Sequence, residues 1–599
     1  MHIAARTAAT IGLGAACLIS NAENTTPKDN LVITATRTPV PSHRVIAPVD
    51  VIDAETIERS MATELSELLR FQGGLDVVRV GGPGQQTSVF TRGTNSNHTL
   101  VLIDGVRINT GSAGGAAIQN IAPEMIERVE IVKSPRTTLY GENAIGGVIN
   151  IITLKPDGPG LAGFAGAGQD NTNKYGLSAG TTAGEFSISG RVQHLETDGL
   201  PIVEGTTVDS GWDNTTVAAQ AIYQSNRWGV EGRVWNSEGT TEYIGFPLDP
   251  ASQDYLSRVM AVAGHAKLTS SWDSVLDLSF TTDELEQNQS TDFAQTERII
   301  LDWQNTVRFG RDSTVVAGIY VSDEEVTGES FGFPLLAEAT DTVAVYAEDS
   351  VDFGRHALLL AGRYSDNDAY GTDFTWNVEY GFDLTSDMRL TSNAGRAVRA
   401  PSAAERFGAF GGNPNLQEED ALTLQAGWQW AMTDYQDFTV DLFYTEIDNL
   451  IASDASFVLQ NIEKAEISGI EAGYSIVTPA WSVHATGVLQ NPENKTNGTT
   501  LLRRAQESAS LSFVRNLGRY QVGADARFVG ARTDFGDQNL AGYGLINLTG
   551  RIALNEQWSI NGRIENLFDR DYTPAFYDFD VRYLAPSRGA YFEVRYKLN

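Results

Sequence analysis

Along the last three-quarters of the chain, apolar and polar residues alternate with a period of two. In the final segment Ala590, Phe592, Val594, Tyr596 and Leu598 share one face, while Tyr591, Glu593, Arg595, Lys597 and Asn599 share the other. Trp558, Ile560, Gly562 and Ile564 alternate likewise with Ser559, Asn561, Arg563 and Glu565. This period puts successive side chains on opposite faces of a strand. Such segments recur through residues 156–599, separated by polar, Gly/Asp/Asn-rich connections. The pattern fits a transmembrane barrel, with apolar side chains toward lipid and polar ones toward the lumen. A soluble β-sandwich alternates in the same way, but a helix-free run of this length is long for two packed sheets. At about 20 residues per strand with its connection, the run holds roughly 22 antiparallel strands. A barrel that wide has an open lumen that must be plugged.

The preceding residues read as a compact α+β unit. Asp53–Arg70 has helical periodicity, with Leu65, Leu68 and Leu69 on one face and Thr63 placed to cap a second turn. Leu100–Ile103 and Val106–Ile108 flank the dipeptide Asp104-Gly105, the strongest local hairpin signal. Val129–Val132 and Val148–Thr153 read as further strands. The expected order is an N-terminal segment at 23–40, a plug at 41–155 inside the lumen, and the barrel at 156–599. Residues 1–22 precede it. They carry Arg6, an apolar stretch from Ala8 to Ile19, and small residues at Ser20 and Ala22, the layout of a cleavable secretory signal.

Composition narrows the chemistry. Lys+Arg 43 against Asp+Glu 76 gives a net charge of −33, which argues against nucleic acid as a partner. The single cysteine, Cys17, falls within the expected signal, so disulfides and Cys-based metal sites are excluded from the mature chain. Gly176–Gly180 and Gly328–Gly332 both match G-x-S-x-G, but that elbow needs a strand before it and a helix after it. The first lies within β alternation and the second in an acidic loop, so an enzyme is not expected.

Four groups of residues are candidates for function. Asp29, Asn30, Leu31, Val32, Ile33, Thr34 and Ala35 form a short β-branched stretch before the first packed element. Extended and unpaired, it would be ready to add a strand to a partner's sheet edge; an ordinary edge strand of the plug is the structural alternative. The Gly-rich loops 79–88 and 109–119 would point outward, with Gln85, Gln86, Asn109 and Gln119 able to hydrogen-bond an amide-rich solute. Asp198, Asp209 and Asp213 share one connection, and Asp249 lies in a later one. Clustered carboxylates of this kind are what Ca²⁺ requires, although solvated loops give the same composition. Two Gly-Phe-Pro-Leu repeats, at 245–248 and 332–335, put Phe246 and Phe333 at outer loop tips, where they would grip a ligand face or pack on their own loops.

Specific segments then point to a family. Asp29–Ala35, Phe90-Thr-Arg-Gly93, Val101-Leu-Ile-Asp-Gly-Val-Arg107, Ile126-Glu-Arg-Val-Glu-Ile-Val132, Ser134-Pro-Arg136, Leu139-Tyr-Gly141 and Gly146-Gly-Val-Ile-Asn-Ile-Ile-Thr153 resemble the plug of TonB-dependent outer-membrane receptors. Arg399-Ala-Pro-Ser402, Gly412-Asn-Pro-Asn-Leu416 and Glu565-Asn-Leu-Phe-Asp569 match in the barrel. Within the family, the likeness is greatest to the cobalamin (vitamin B12) receptors, on Leu31–Ala35 and Thr91–His98. Phe71-Gln-Gly-Gly74 departs from the family's usual Leu-Pro-Gly. The resemblance implies active transport of a scarce large solute across the bacterial outer membrane. That solute would be cobalamin or a related corrinoid, with a ferric siderophore or other metal chelate as the alternative and a passive pore or adhesin more distant. It implies TonB, driven by its inner-membrane complex, as the partner of residues 29–35. No cofactor is required, and calcium is the one structural ion it suggests.

Overall fold

A computed structural model describes residues 31–155, 160–409, 411–453, 458–462 and 464–598. The expected signal, Cys17, Asp29 and Asn30 lie outside them. From Gly160 onward the chain forms a closed antiparallel barrel of 22 strands, sealed where Gly160–Gly168 pairs with Gly589–Leu598. The alternation read from the sequence is the reason it closes this way round. On the last strands Phe592 and Trp558 are about half exposed, whereas Glu593 and Asn561 are buried. A water-soluble protein would invert this; here lipid takes the apolar face and the lumen takes the polar one.

One rim carries tight connections, such as residues 184–185 between Asn173–Ala183 and Phe186–Leu200. The other carries long ones, residues 400–418 and 566–588 among them. Short periplasmic turns and long outer loops are the rule for such barrels, which fixes the orientation. Both G-x-S-x-G matches belong to barrel hairpins: Gly176–Gly180 lies inside the strand Asn173–Ala183, and Gly328–Gly332 ends the strand Ser313–Ser330. No helix follows either of them. The barrel is not wholly free of helix, however. Ala403–Phe407 is a short helix in the outer connection, held by a capping box in which Ser402 and Glu405 exchange hydrogen bonds with each other's backbone.

The plug fills the lumen with a five-stranded mixed sheet in the order Val49–Ile52, Ile126–Val132, Gly147–Thr153, Thr99–Ile103, Val106–Arg107. The Asp104-Gly105 hairpin forms as expected, with both residues at positive φ (48° and 84°), and the Asp104 carboxylate accepts from the backbone and hydroxyl of Thr153. The helical stretch differs from expectation. Asp53 caps Ala54–Ser60, Met61 turns left-handed (φ 50°), and a second helix runs Leu65–Leu69 from Glu64. Thr63 caps nothing; its amide donates to the Glu67 carboxylate instead. Leu65, Leu69, Val101, Met125, Val129 and Ile151 form the plug core.

Ion pairs fasten plug to wall. Glu67 meets Arg563 (2.9 Å), Arg136 meets Glu379 (2.7 Å), and Arg92 and Lys133 share Glu471. His98 meets Glu419, which also accepts from Arg399. The Arg563 side chain belongs to the polar face that the sequence alternation assigns to the lumen.

Candidate functional site

The N-terminal segment is docked. Leu31–Val32 pairs with Val40–Pro41 in a two-stranded sheet, so the expectation of an unpaired strand is corrected for those residues. Val32, Thr34 and Ala35 are fully buried, with Val32 and Ala35 packed on Val45, Ala47 and Val132. The Glu130 carboxylate accepts from the amides of Ile33 and Thr34 (2.9 Å each) and from the Thr34 hydroxyl (2.7 Å). Asn150 donates to the same hydroxyl, and Tyr140 donates to the Thr34 carbonyl. Just beyond this segment, Arg37 reaches the wall, pairing with Asp302 at 2.5 Å and stacking between Tyr140 and Tyr346. The segment is therefore held by side chains roughly a hundred or more residues away. An exposed strand edge is available only after it undocks.

On the outer side, a cavity of about 810 Å³ opens between the plug apex and the outer halves of four strands. The plug contributes Arg107 from the end of its hairpin, Tyr140 from the end of the helix Thr137–Tyr140, and residues 141–143 from the turn after it. The wall contributes Arg298, Tyr320, Glu324 and Arg363, and the outer loops add Tyr370 and Ser402. The helix Ala403–Phe407 leans over the plug loop, its first amides donating to the carbonyls of Gly111 and Ser112. Burial pushes the Glu142 carboxyl up, against the opposing pull of Arg107. A second and larger cavity, about 3890 Å³, faces the periplasm between the plug and the turn 383–389, reaching as far as Lys133 and Glu471.

None of the six expected ligand residues lines the outer cavity. Gln85 is buried and donates to the Glu242 carbonyl at 2.7 Å, tying its loop to the wall. Asn109 is also buried. It accepts from the Val101 amide and donates to the carbonyls of Thr99 and Gly114, so it shapes the loop that borders the cavity. Gln119 is half-buried with its carbonyl oxygen unpartnered, and Gln86 is exposed. Phe246 and Phe333 are 81% and 65% exposed at the outer rim. For Asn109 the reason is local: its short polar side chain is taken up by backbone groups of its own hairpin and loop. The residues that do line the cavity carried weaker signals, Arg107 as the charged end of a hairpin and Arg363 as one more polar position in an alternating strand.

The acidic candidates do not assemble. Asp198 is exposed and accepts from Asn171, Asp213 accepts from the Thr240 amide, and Asp209 and Asp249 are exposed. Among the described residues, no group of three or more His, Cys, Asp or Glu converges to hold a metal.

Comparison with known proteins agrees with this architecture. Residues 152–567 match the family model described as TonB dependent receptor-like, beta-barrel, and residues 41–148 match the TonB-dependent receptor plug domain. The chain is 30% identical over 604 residues to the vitamin B12 transporter BtuB of Photobacterium profundum, covering 95% of this chain and 96% of that one. Among solved structures it is similar to the ferric enterobactin receptor PfeA of Pseudomonas aeruginosa, with a TM-score of 0.80 and 16% identity over 95% of this chain and 100% of that one. It is likewise similar to the ferric yersiniabactin uptake receptor FyuA of Yersinia pestis, with a TM-score of 0.77 and 17% identity over 92% and 98%. At these identities the solved structures speak for the fold alone.

Proposed function

The chain belongs to the TonB-dependent receptor family of the bacterial outer membrane, and on that premise we propose that it imports cobalamin or a related corrinoid into the periplasm. The observation that carries the ligand is the end-to-end likeness to a vitamin B12 transporter, which spans plug and barrel alike. A passive pore needs an open lumen, and here the plug fills it with buried ion pairs. Moving such a plug requires outside work, because breaking a buried pair by removing one partner costs about 3–5 kcal/mol.

The segment 29–35 is the part we assign to TonB. Ligand binding in the outer cavity loosens the docked segment, which then adds as a strand to the partner's sheet edge. Force applied there acts on Glu130, which sits in the central plug sheet, and so on the plug itself.

Two measurements test this reading. Purified receptor is titrated with cyanocobalamin and with ferric enterobactin; tight binding of the corrinoid alone is expected. Binding of the iron chelate alone would replace the corrinoid with a siderophore as the ligand. Deleting residues 29–35 is expected to abolish uptake by cells and leave binding intact, and uptake that survives the deletion would refute the energised mechanism.

A further inference from the structure

The outer cavity holds cationic charge that the protein itself leaves uncommitted. Of its three arginines, Arg298 is neutralised by Glu324 and also donates to the Asn109 carbonyl. The other two are different. Arg363, only 3% exposed, lies on the lumen face of the strand His356–Asn367. Its Nε donates to the Ser365 hydroxyl and its guanidinium covers the Tyr320 ring, but Nη1 has no hydrogen-bond partner. Gly141 closes over it so tightly that a Cβ there would lie 3.3 Å from Nη2. Arg107 spends Nη2 on the Asn143 side chain at 2.7 Å, and its Nε is buried without a partner. Neither arginine is paired with a carboxylate among the described residues. On the acidic side, Glu338 is taken by Arg406, which leaves Glu142. Two guanidinium groups without an ion-pair partner therefore line the cavity together with Glu142.

A buried N–H with no acceptor carries its full desolvation cost, so orphaned donors on two arginines of one cavity call for an external acceptor. The guanidinium fork matches phosphate and carboxylate oxygens, and it stays charged at any physiological pH. The carboxylates around the two guanidinium groups restrict the acceptor. A singly charged oxyanion suits them better than a ferric tris-catecholate, whose three negative charges would meet Glu142 and Glu324.

We propose that Arg107 and Arg363 form a subsite for a singly charged oxyanion of the transported ligand, namely a phosphodiester. The inference rests on the corrinoid reading above, since a complete cobalamin carries one such group in its nucleotide arm. The hydroxyls of Thr340 and Thr342 line the same cavity as neutral donors. The corrin ring then lies toward the outer rim, with the nucleotide arm directed at the plug turn 140–143.

The test compares cyanocobalamin with cobinamide, which has the same ring and lacks the phosphodiester and its nucleotide. Full-length receptor and the variants Arg363→Met, Arg107→Gln and Arg363→Lys are titrated with both probes. Loss of a charge-assisted hydrogen bond is expected to weaken cyanocobalamin binding about tenfold or more in the first two variants, with Arg363→Lys recovering part of it. Cobinamide affinity is expected to stay within about threefold, which also shows that the variants are folded. Equal losses for both probes would make the arginines structural, and no loss for either would remove them from the site. In both cases the subsite fails while corrinoid transport stands. Wild-type receptor that binds neither corrinoid would overturn the transport reading and the subsite with it.

Discussion

The Tyr140 hydroxyl donates to the carbonyl oxygen of Thr34 at 3.2 Å, so one side chain joins the outer cavity to the docked N-terminal segment. Tyr140 borders the outer cavity, and Thr34 is fully buried within the docked N-terminal segment. A ligand that shifts the turn after Tyr140 acts on that bond with no intermediary. Tyr140→Phe keeps the ring and the Arg37 stack and removes only the hydroxyl. With a net worth of about 1 kcal/mol, its loss is expected to shift the docked–undocked balance roughly fivefold toward undocked. A spin label at Ile33 reads the mobile fraction, and an unchanged spectrum would disconnect the two sites.

Glu130 is the stronger half of the same latch. Its carboxylate takes three donors from Ile33 and Thr34 while pairing with Arg128. Glu130→Ala leaves buried amides without an acceptor, at about 1–3 kcal/mol for each group. Amide hydrogen exchange at Ile33 and Thr34 is expected to rise at least tenfold without ligand, while exchange at Ile151 in the plug core stays slow. Faster exchange across the whole plug sheet would instead mean that Glu130 stabilises the domain and not the segment.

Much of the fold is written in short-range pattern. Period-two alternation gave the barrel and its strand number because each spanning strand must satisfy lipid on one face and the lumen on the other. The Asp104-Gly105 turn was legible because few residue pairs tolerate two positive φ values in succession. The Ser402–Glu405 capping box was equally local, and the short helix it starts went unread inside a β-patterned run. What could not be read is which partner a polar group takes once the chain folds. The second helix starts from Glu64, one residue past Thr63, and the Asn109 side chain is taken up by Val101, Thr99 and Gly114. Arg107 and Arg363 lie far apart in sequence, and only the seating of the plug in the barrel brings them to one cavity.

Gly147 is a position at which the plug sheet requires glycine. It begins the strand Gly147–Thr153 at φ 143°, and a Cβ there would stand 2.1 Å from the Val132 carbonyl oxygen. That oxygen belongs to the main chain of the neighbouring strand, so only a backbone shift makes room. Gly147→Ala is expected to cost more than the usual 1–3 kcal/mol of a strained residue, because a clash adds to the unfavourable φ. Trypsin digestion of outer-membrane preparations is expected to remove the plug and leave the barrel intact. A plug as resistant as wild type would show that the sheet can slide to make room.

Glu67 gives the plug a calculable dependence on acid. It lies in the helix Leu65–Leu69, accepts from the Thr63 amide at 3.0 Å, and pairs with Arg563 of the wall at 2.9 Å and with Arg79 at 3.4 Å. Burial pushes its carboxyl up, but Arg563 and Arg79 outweigh that and hold it well below its ordinary value of 4.5. A carboxylate depressed in the folded state contributes its full stability above 4.5 and loses it as the pH falls further, because the undocked chain then takes up a proton that the docked one refuses. Glu67→Gln lacks this contribution at every pH. At neutrality the variant is expected to be about 3 kcal/mol less stable, as for other buried pairs deprived of one partner. Between about pH 4.5 and pH 3 the gap should narrow, since only the wild type still has a carboxylate to protonate. Urea midpoints for plug release, followed by hydrogen exchange at Leu65 and Leu69 across this range, measure it. A gap that stays constant down to pH 3 would mean that Glu67 contributes through packing, with its charge already offset in the undocked chain.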